Sequence, residues 1–284
     1  MAFRPGRSCY CACEITESQV LPEVPPYPLA ETRFGRMFTL RGDSVIGRSL
    51  RVYGEFAGDE VDSILALIRP GDHVLDLGAN IGFHTLALAR SVGREGHVTA
   101  VEPQRYCFQL LSANVTLNQL AGVHCLRAAV GDVAGTCAVP LHHPTARHNA
   151  GAVAVAEGSG SGPTDEVPLI TVDSLELARC DLIKVDTEGF EDRVIKGARA
   201  TIAAFRPVLY IEVHDREKLR WLAATLKPQG YGLSLHNTYF FRENNANGEP
   251  AVIFPASAGG SALIAVPPRR DLPTGLPGQL VPIG

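Results

Sequence analysis

An α/β fold with a parallel sheet is predicted by three features of this 284-residue chain. From His73 onward, short apolar strands alternate with segments of helical periodicity, the pattern of βαβ units. Acidic or glycine-bearing turns follow four of those strands at equivalent positions. The chain is also long enough, at 45% hydrophobic, to bury a large core without disulfides or a structural metal.

The elements follow in order. Residues 1–56 read as an irregular arm with short strands and turns, since Pro22, Pro25, Pro26 and Pro28 exclude helix and Gly35, Gly42, Gly47 and Gly54 punctuate the rest. A main domain then spans 57–266. Val61, Ile64, Leu65 and Ile68 share one face of a helix over 59–68 that stops at Pro70-Gly71. Strand 73–77, helix 82–92, strand 97–101, helix 106–120 and strand 123–130 follow. Residues 133–172 break the rhythm and read as an inserted hairpin or lid, with runs 136–141 and 150–156 flanking a polar tip that holds His142, His143, Arg147 and His148. The Gly-Ser-Gly-Ser-Gly-Pro stretch at 158–163 is a loop. Helix 172–178, strand 182–185, helix 191–203, strand 208–213 and helix 216–226 resume the pattern, and strands 231–235 and 262–266 fit an antiparallel pair at a sheet edge. Residues 267–284 read as an extended, proline-rich tail.

Composition narrows the function. A formal net charge of −4 counts against binding nucleic acid by broad electrostatics. No apolar run is long enough to span a membrane, and the first twenty residues lack the apolar stretch of a signal peptide. Seven cysteines without regular spacing point to a reducing, cytoplasmic setting, and Cys9, Cys11 and Cys13 lack the spacing of a zinc site. The expected partner is a small molecule or a glycan, with homo-oligomerisation open.

Ligands of open α/β sheets bind beyond the carboxyl ends of the strands. Asp76 to Gly82, Glu102-Pro103-Gln104, Asp186 to Gly189 and Glu212-Val213-His214 stand at those ends. The first turn carries Asn80 where a dinucleotide motif has its middle glycine, and the acid Asp76 would sit badly beside a pyrophosphate. Asp76 suits an ammonium, and Glu102, at the next strand end, suits the hydroxyls of a ribose. One ligand carries both groups: S-adenosylmethionine. An NAD(P)-dependent oxidoreductase and a non-catalytic binding module are the competing readings.

Val74 to Thr85 (VLDLGANIGFHT) and Val101 to Gln104 (VEPQ) resemble the first two motifs of class I methyltransferases. Leu182 to Ala198 (LIKVDTEGFEDRVIKGA), with ITVDSL at 170–175 and YIEVH at 210–214, resembles the signature of the FkbM-type family. The resemblance spans residues 50 to 240. It implies a seven-stranded Rossmann-like sheet, S-adenosylmethionine as methyl donor and O-methylation of a sugar, natural-product intermediate or other metabolite, with N-methylation open. Carried over by position, Asp76, Gly78, Ala79, Asn80 and Gly82 would hold the methionine side, Glu102 and Pro103 the ribose, and Ala129 to Asp132 would lie near the adenine, with Asp132 the partner of its amino group.

Methyl transfer to a hydroxyl needs alignment and a proton acceptor. His214, whose ordinary pKa suits a base at neutral pH, is the expected base, with Asp186 and Glu212 beside it. Asp186, Glu212 and His214 are also the set that would hold Mg²⁺ if a metal took part, the less favoured route. His84, Asn149, Glu188 and Asn237 are the expected substrate contacts, with Tyr239 and Asn244 further candidates, and Tyr53, Glu55 and Glu60, just before the first core strand, are expected to cover the cofactor.

Overall fold

The computed structural model describes residues 26–141, 163–268 and 270–283. A hairpin of β1 (Leu29–Thr32) and β2 (Gly35–Phe38) leads into α1 (Ile46–Tyr53) and α2 (Gly58–Ala66). The chain continues through β3 (His73–Leu77), α3 (Phe83–Val92), β4 (His97–Val101), α4 (Arg105–Leu117), β5 (Val123–Leu126), β6 (Ala129–Val130), β7 (Gly135–Pro140) and β8 (Thr164–Ile170). Then come β9 (Leu182–Val185), α5 (Glu191–Lys196), α6 (Arg199–Phe205), β10 (Val208–Glu212), α7 (Arg216–Leu226), β11 (Gly232–Tyr239), β12 (Gly259–Val266) and β13 (Gln279–Pro282).

The main sheet runs β13-β11-β12-β10-β9-β3-β4-β5. Its five strands from β10 to β5 are parallel, and β12 pairs antiparallel with both β10 and β11. The order reverses between β3 and β9, so the crevice for ligands opens there. Alternation sorts the strand residues by face. Leu75, Ile183 and Leu209 pack against Val194, Ile202 and Leu222 of α5, α6 and α7. Val74, Leu182 and Val208 pack against Ile64 and Leu88 of α2 and α3. Asp76, Lys184 and Tyr210 stand side by side in the register, on the α2–α3 face.

Several expectations change. The N-terminal region holds a helix, α1, where turns were expected. Asp43 accepts hydrogen bonds from the N–H groups of Val45 and Gly47 at its start, so Gly47 lies inside the helix and only Gly54, with φ of 70°, ends it. This region is no separate arm, because Phe34, Met37 and Leu50 share a core with Ile81, Phe83 and Leu111. Asn114 of α4 ties β2 to the motif loop. Its side chain accepts from the Phe38 N–H and donates to the carbonyls of Phe38 and Ile81.

The single strand expected over 123–130 divides, and its second part, β6, joins β7 and β8 in a separate three-stranded sheet. Strand β7 pairs antiparallel with β8, and the run 150–156 lies outside the described residues. Helix 172–178 shrinks to one 3₁₀ turn at Asp173–Leu175, and helix 191–203 divides at Gly197, where a Cβ would stand 2.0 Å from the Gly131 carbonyl oxygen. The tail is ordered by pairing: β13 adds an eighth strand, Leu276 is buried, and the Pro277 carbonyl accepts from Ser63 and His236.

Among the described residues no helix is long and apolar enough to cross a membrane, and Cys107, Cys125, Cys137 and Cys180 are free thiols. The Cys9, Cys11 and Cys13 cluster lies outside the described residues.

Candidate active site

The turn after β3 is fixed by backbone contacts. The N–H groups of Gly78 and Ala79 donate to the Val101 carbonyl, and the Asp186 N–H donates to the Leu77 carbonyl at 2.9 Å. These bonds bring the turns after β3 and β9 together. A Cβ on Gly78 would stand 1.7 Å from the Asp186 carbonyl oxygen, and its φ of 82° is left-handed, so only glycine fits. Asn80, also left-handed at 50°, turns its side chain to accept from the Ile81 N–H. Gly82 then starts α3, with Leu111 packed where a Cβ would go.

Asp76 is fully buried and lines no cleft. One carboxylate oxygen accepts from Thr85 at 2.6 Å, and the other faces the Lys184 ammonium at 3.3 Å. Lys184, itself only 1% exposed, lies equally close to Asp186. Burial alone would lower the Lys184 pKa, but Asp76, Asp186, Glu60 and Glu212 together hold it well above its ordinary value. Asp76 is therefore the counter-ion of a buried lysine. That lysine escaped the sequence reading because apolar neighbours in a four-residue strand masked it.

Glu102 follows β4 and is 3% exposed. Its two oxygens accept from the N–H groups of Asn80 and Gln104, both at 2.8 Å. Burial outweighs those bonds and, with the charges of Asp186 and Asp76, lifts its pKa to about 7.

Two clefts open at the switch point. The first, about 530 Å³, has Gly78, Asn80, Glu102, Pro103 and Gln104 on one side and Ala129, Val130 and Phe190 on the other. The second is lined by Glu60, His84, Glu212 and His214, with the rings of Phe56 and Phe240 tilted 43° and their centroids 4.8 Å apart. Ile46, Asp186 and Glu188 border both. Five buried polar side-chain atoms lack a hydrogen bond among the described residues. Four belong to this region: Asp76 Oδ1, His84 Nε2, Thr187 Oγ1 and Glu212 Oε2. Such atoms are rare because each is costly, and they concentrate where a ligand completes them.

The second cleft is a titrating cluster. His84 Nε2 lies 3.8 Å from Glu60 Oε1. Burial, aided by Lys184, lowers His84 to about 4, so it is neutral at pH 7. Burial raises Glu60 to about 7 against the pull of Lys184. Glu188, in a left-handed turn at φ of 42°, is raised to about 7 by burial and by Asp186. Asp186 would rise on burial, but Lys184 and a hydrogen bond with Glu212 hold it below its ordinary value. Glu212 is raised by burial and by the Asp186 charge. His214 Nε2 is 3.0 Å from Glu212 and 3.6 Å from Glu188. The Glu212 hydrogen bond raises its pKa despite partial burial, so it holds a proton at neutral pH and cannot serve alone as the base.

Glu188, Glu212 and His214 each place a ligating atom within 4.8 Å of the others. That is the trio that would hold a divalent ion, with Glu188 in place of the expected Asp186.

The model of the FkbM methyltransferase domain matches residues 76–240, more than half of the chain. The chain belongs to the FkbM methyltransferase family. The methyltransferase sdnD of Sordaria araneosa is 29% identical over 178 residues, 51% of this chain and 67% of that protein. A solved FkbM methyltransferase from Methylobacillus flagellatus is 20% identical with a TM-score of 0.47, over 70% of this chain. This chain spans only 45% of that protein's length. A SAM-dependent methyltransferase from Aquifex aeolicus is 15% identical with a TM-score of 0.37, over 74% of this chain and 89% of its own.

In this FkbM methyltransferase the expected site residues divide. Gly78, Asn80, Glu102 and Pro103 line the first cleft, while Ala79 and Gly82 shape it from behind. Glu60, expected over the cofactor, opens into the second cleft with His84, Glu188, Glu212 and His214. Asp132 is exposed on the turn beyond β6 and does not reach the first cleft, where Ala129 and Val130 stand instead. Asn237 stays behind Ser261, accepting its hydroxyl at 2.6 Å. Asn149, with His142, His143, Arg147 and His148, lies outside the described residues. Tyr53 holds the Ala251 and Ile253 backbone, Glu55 is paired with Arg242, and Tyr239 is exposed. Lys184, Ile46, Phe56, Thr187 and Phe240 were missed, four of them because no chemical motif marks an apolar or hydroxyl wall.

Proposed function

We propose that the protein transfers a methyl group from S-adenosylmethionine to a hydroxyl of a small metabolite, sugar or natural-product intermediate. The observation that supports this reading is the junction of the two clefts at Asp186 and Glu188. The first cleft fits the donor's adenosyl part. Glu102 offers a carboxylate at the position of ribose hydroxyls, Ile46 and Phe190 offer apolar walls, and the orphaned Thr187 hydroxyl offers a polar contact. When bound, S-adenosylmethionine supplies an electrophilic methyl on a sulfonium.

The remaining work belongs to the chain. Confining an acceptor in the second cleft beside the first converts a bimolecular encounter into an oriented one. The acceptor hydroxyl must lose a proton as its oxygen attacks. Glu188 borders both clefts and carries a pKa near neutrality, which suits it to take that proton. His214, 3.6 Å away and half exposed, connects it to solvent, and Glu212 orients His214. The family match replaces the oxidoreductase reading, consistent with Asn80 in the glycine turn.

The test is formation of S-adenosylhomocysteine from S-adenosylmethionine in the presence of an acceptor panel. Product with hydroxylated acceptors, and none with their deoxy analogues, supports O-methylation. Transfer to an amine with no hydroxyl present would overturn it in favour of N-methylation. In His214→Ala, turnover should fall about 100-fold or more, in the range for a proton-transfer group, with donor affinity retained.

A further inference from the structure

Building on the reading of the second cleft as the acceptor site, we infer that this cleft selects a hydroxylated acceptor that also carries an amine, and rejects acidic ones. Four carboxyl groups face it, Glu60 from α2, Asp186 and Glu188 from the turn after β9, and Glu212 from the end of β10. No lysine or arginine is among its lining residues. Lys184, the buried cation behind it, is already paired with Asp76 and Asp186. The one cationic side chain among the described lining residues, the protonated His214, is already paired with Glu212 at 3.0 Å and Glu188 at 3.6 Å, so an anionic acceptor would compete with two carboxyl groups for it, while an ammonium would meet carboxyl groups on several sides.

Two further observations point to an organic ammonium. His84 Nε2 is buried at this cleft without a hydrogen bond, 3.8 Å from the nearest Glu60 oxygen, so a polar partner is missing from it. Phe56 and Phe240, with their rings tilted 43° to each other, add an aromatic wall, a surface that attracts a cation through its ring faces and packs a ring-shaped body. The aromatic wall favours an amine over a bare metal ion, which gains nothing from apolar lining.

The test uses three probes that share a phenol ring and differ at one end: tyramine, tyrosol and 4-hydroxyphenylacetate. Each is titrated calorimetrically into the protein saturated with S-adenosylhomocysteine. Tyramine should bind about tenfold more tightly than tyrosol, a difference within reach of one cation–π or ion-pair contact, and the acid should bind most weakly. In Glu60→Gln/Glu212→Gln the amine preference should shrink to about twofold or less. Equal or tighter binding of the acid, no binding of any probe, or an amine preference that survives the double substitution overturns the inference. Parallel runs with Mn²⁺ separate the other cation: if the metal binds and reverses the order toward the acid, the cleft is a metal site and the inference fails. Failure of S-adenosylhomocysteine to bind the unmodified protein would instead sink the proposed function.

Discussion

The two clefts share Ile46, Asp186 and Glu188 yet are built by different means. The first is made of backbone: turns after β3, β4 and β9, locked by N–H to carbonyl bonds and by glycines that admit no side chain. The second is made of side chains sent from α2, α3, the β9 turn, β10 and the segment after β11. A backbone cradle depends on a few contiguous residues and carries one geometry. A side-chain cavity can change its acceptor by exchanging residues that are distant in sequence. The contrast predicts that substitutions in the first cleft damage folding or donor affinity, while those in the second change acceptor choice and proton handling.

The sharpest break comes at Gly78. Gly78→Ala places a methyl against the Asp186 carbonyl in left-handed backbone, and should cost more than about 3 kcal/mol or prevent folding. Gly71→Ala is the control. Its φ of 87° is also positive, but a Cβ there meets nothing within 4 Å, so about 1–2 kcal/mol is expected. Urea unfolding of both variants checks the difference.

Lys184→Met should cost about 3–5 kcal/mol, because it strands Asp76 as an uncompensated buried charge. Adding Asp76→Asn should recover much of that loss. If the double variant is no more stable than the single one, the pairing is not what stabilises this part of the sheet.

Protonation gives a smaller effect with a defined sign. Glu60, Glu102 and Glu188 have folded pKa values of about 7, above their unfolded values. The folded state therefore binds more protons, and the stability from these groups, complete below about pH 4.5, is lost as pH rises through 7. His84, depressed to about 4, works the other way, contributing stability above its ordinary value that is lost as pH falls toward 4. Three groups outweigh one. The ligand-free protein should melt several degrees higher near pH 5.5 than near pH 8, and Glu60→Gln should flatten that profile.

The same contrast explains what the sequence disclosed. The parallel strands and the residues of the first cleft were legible because Asp76 to Gly82 and Glu102 are contiguous with the strands that position them. Even there, the pairing of Asp76 with Lys184 was not legible. Its partner Lys184 is 108 residues away in sequence and adjacent only through sheet register, Asp76 opposite Lys184. Glu60 was assigned to the cofactor because α2 precedes the first core strand, whereas packing turns it toward His84 and Gly260. The tail was read as unstructured from its prolines. Pairing with β11 and the Pro277 carbonyl's two donors order it, and neither leaves a local signal.

The division of labour between the clefts is tested most directly by calorimetric titration of S-adenosylhomocysteine into the unmodified protein, Glu102→Gln and Glu60→Gln. Glu102→Gln should weaken binding about 10- to 100-fold, the loss expected when hydrogen bonds to a charged group are impaired. Glu60→Gln should stay within about twofold of the unmodified protein, because Glu60 faces only the second cleft. Comparable losses in both variants, or none in Glu102→Gln, would contradict the separation of donor and acceptor sites.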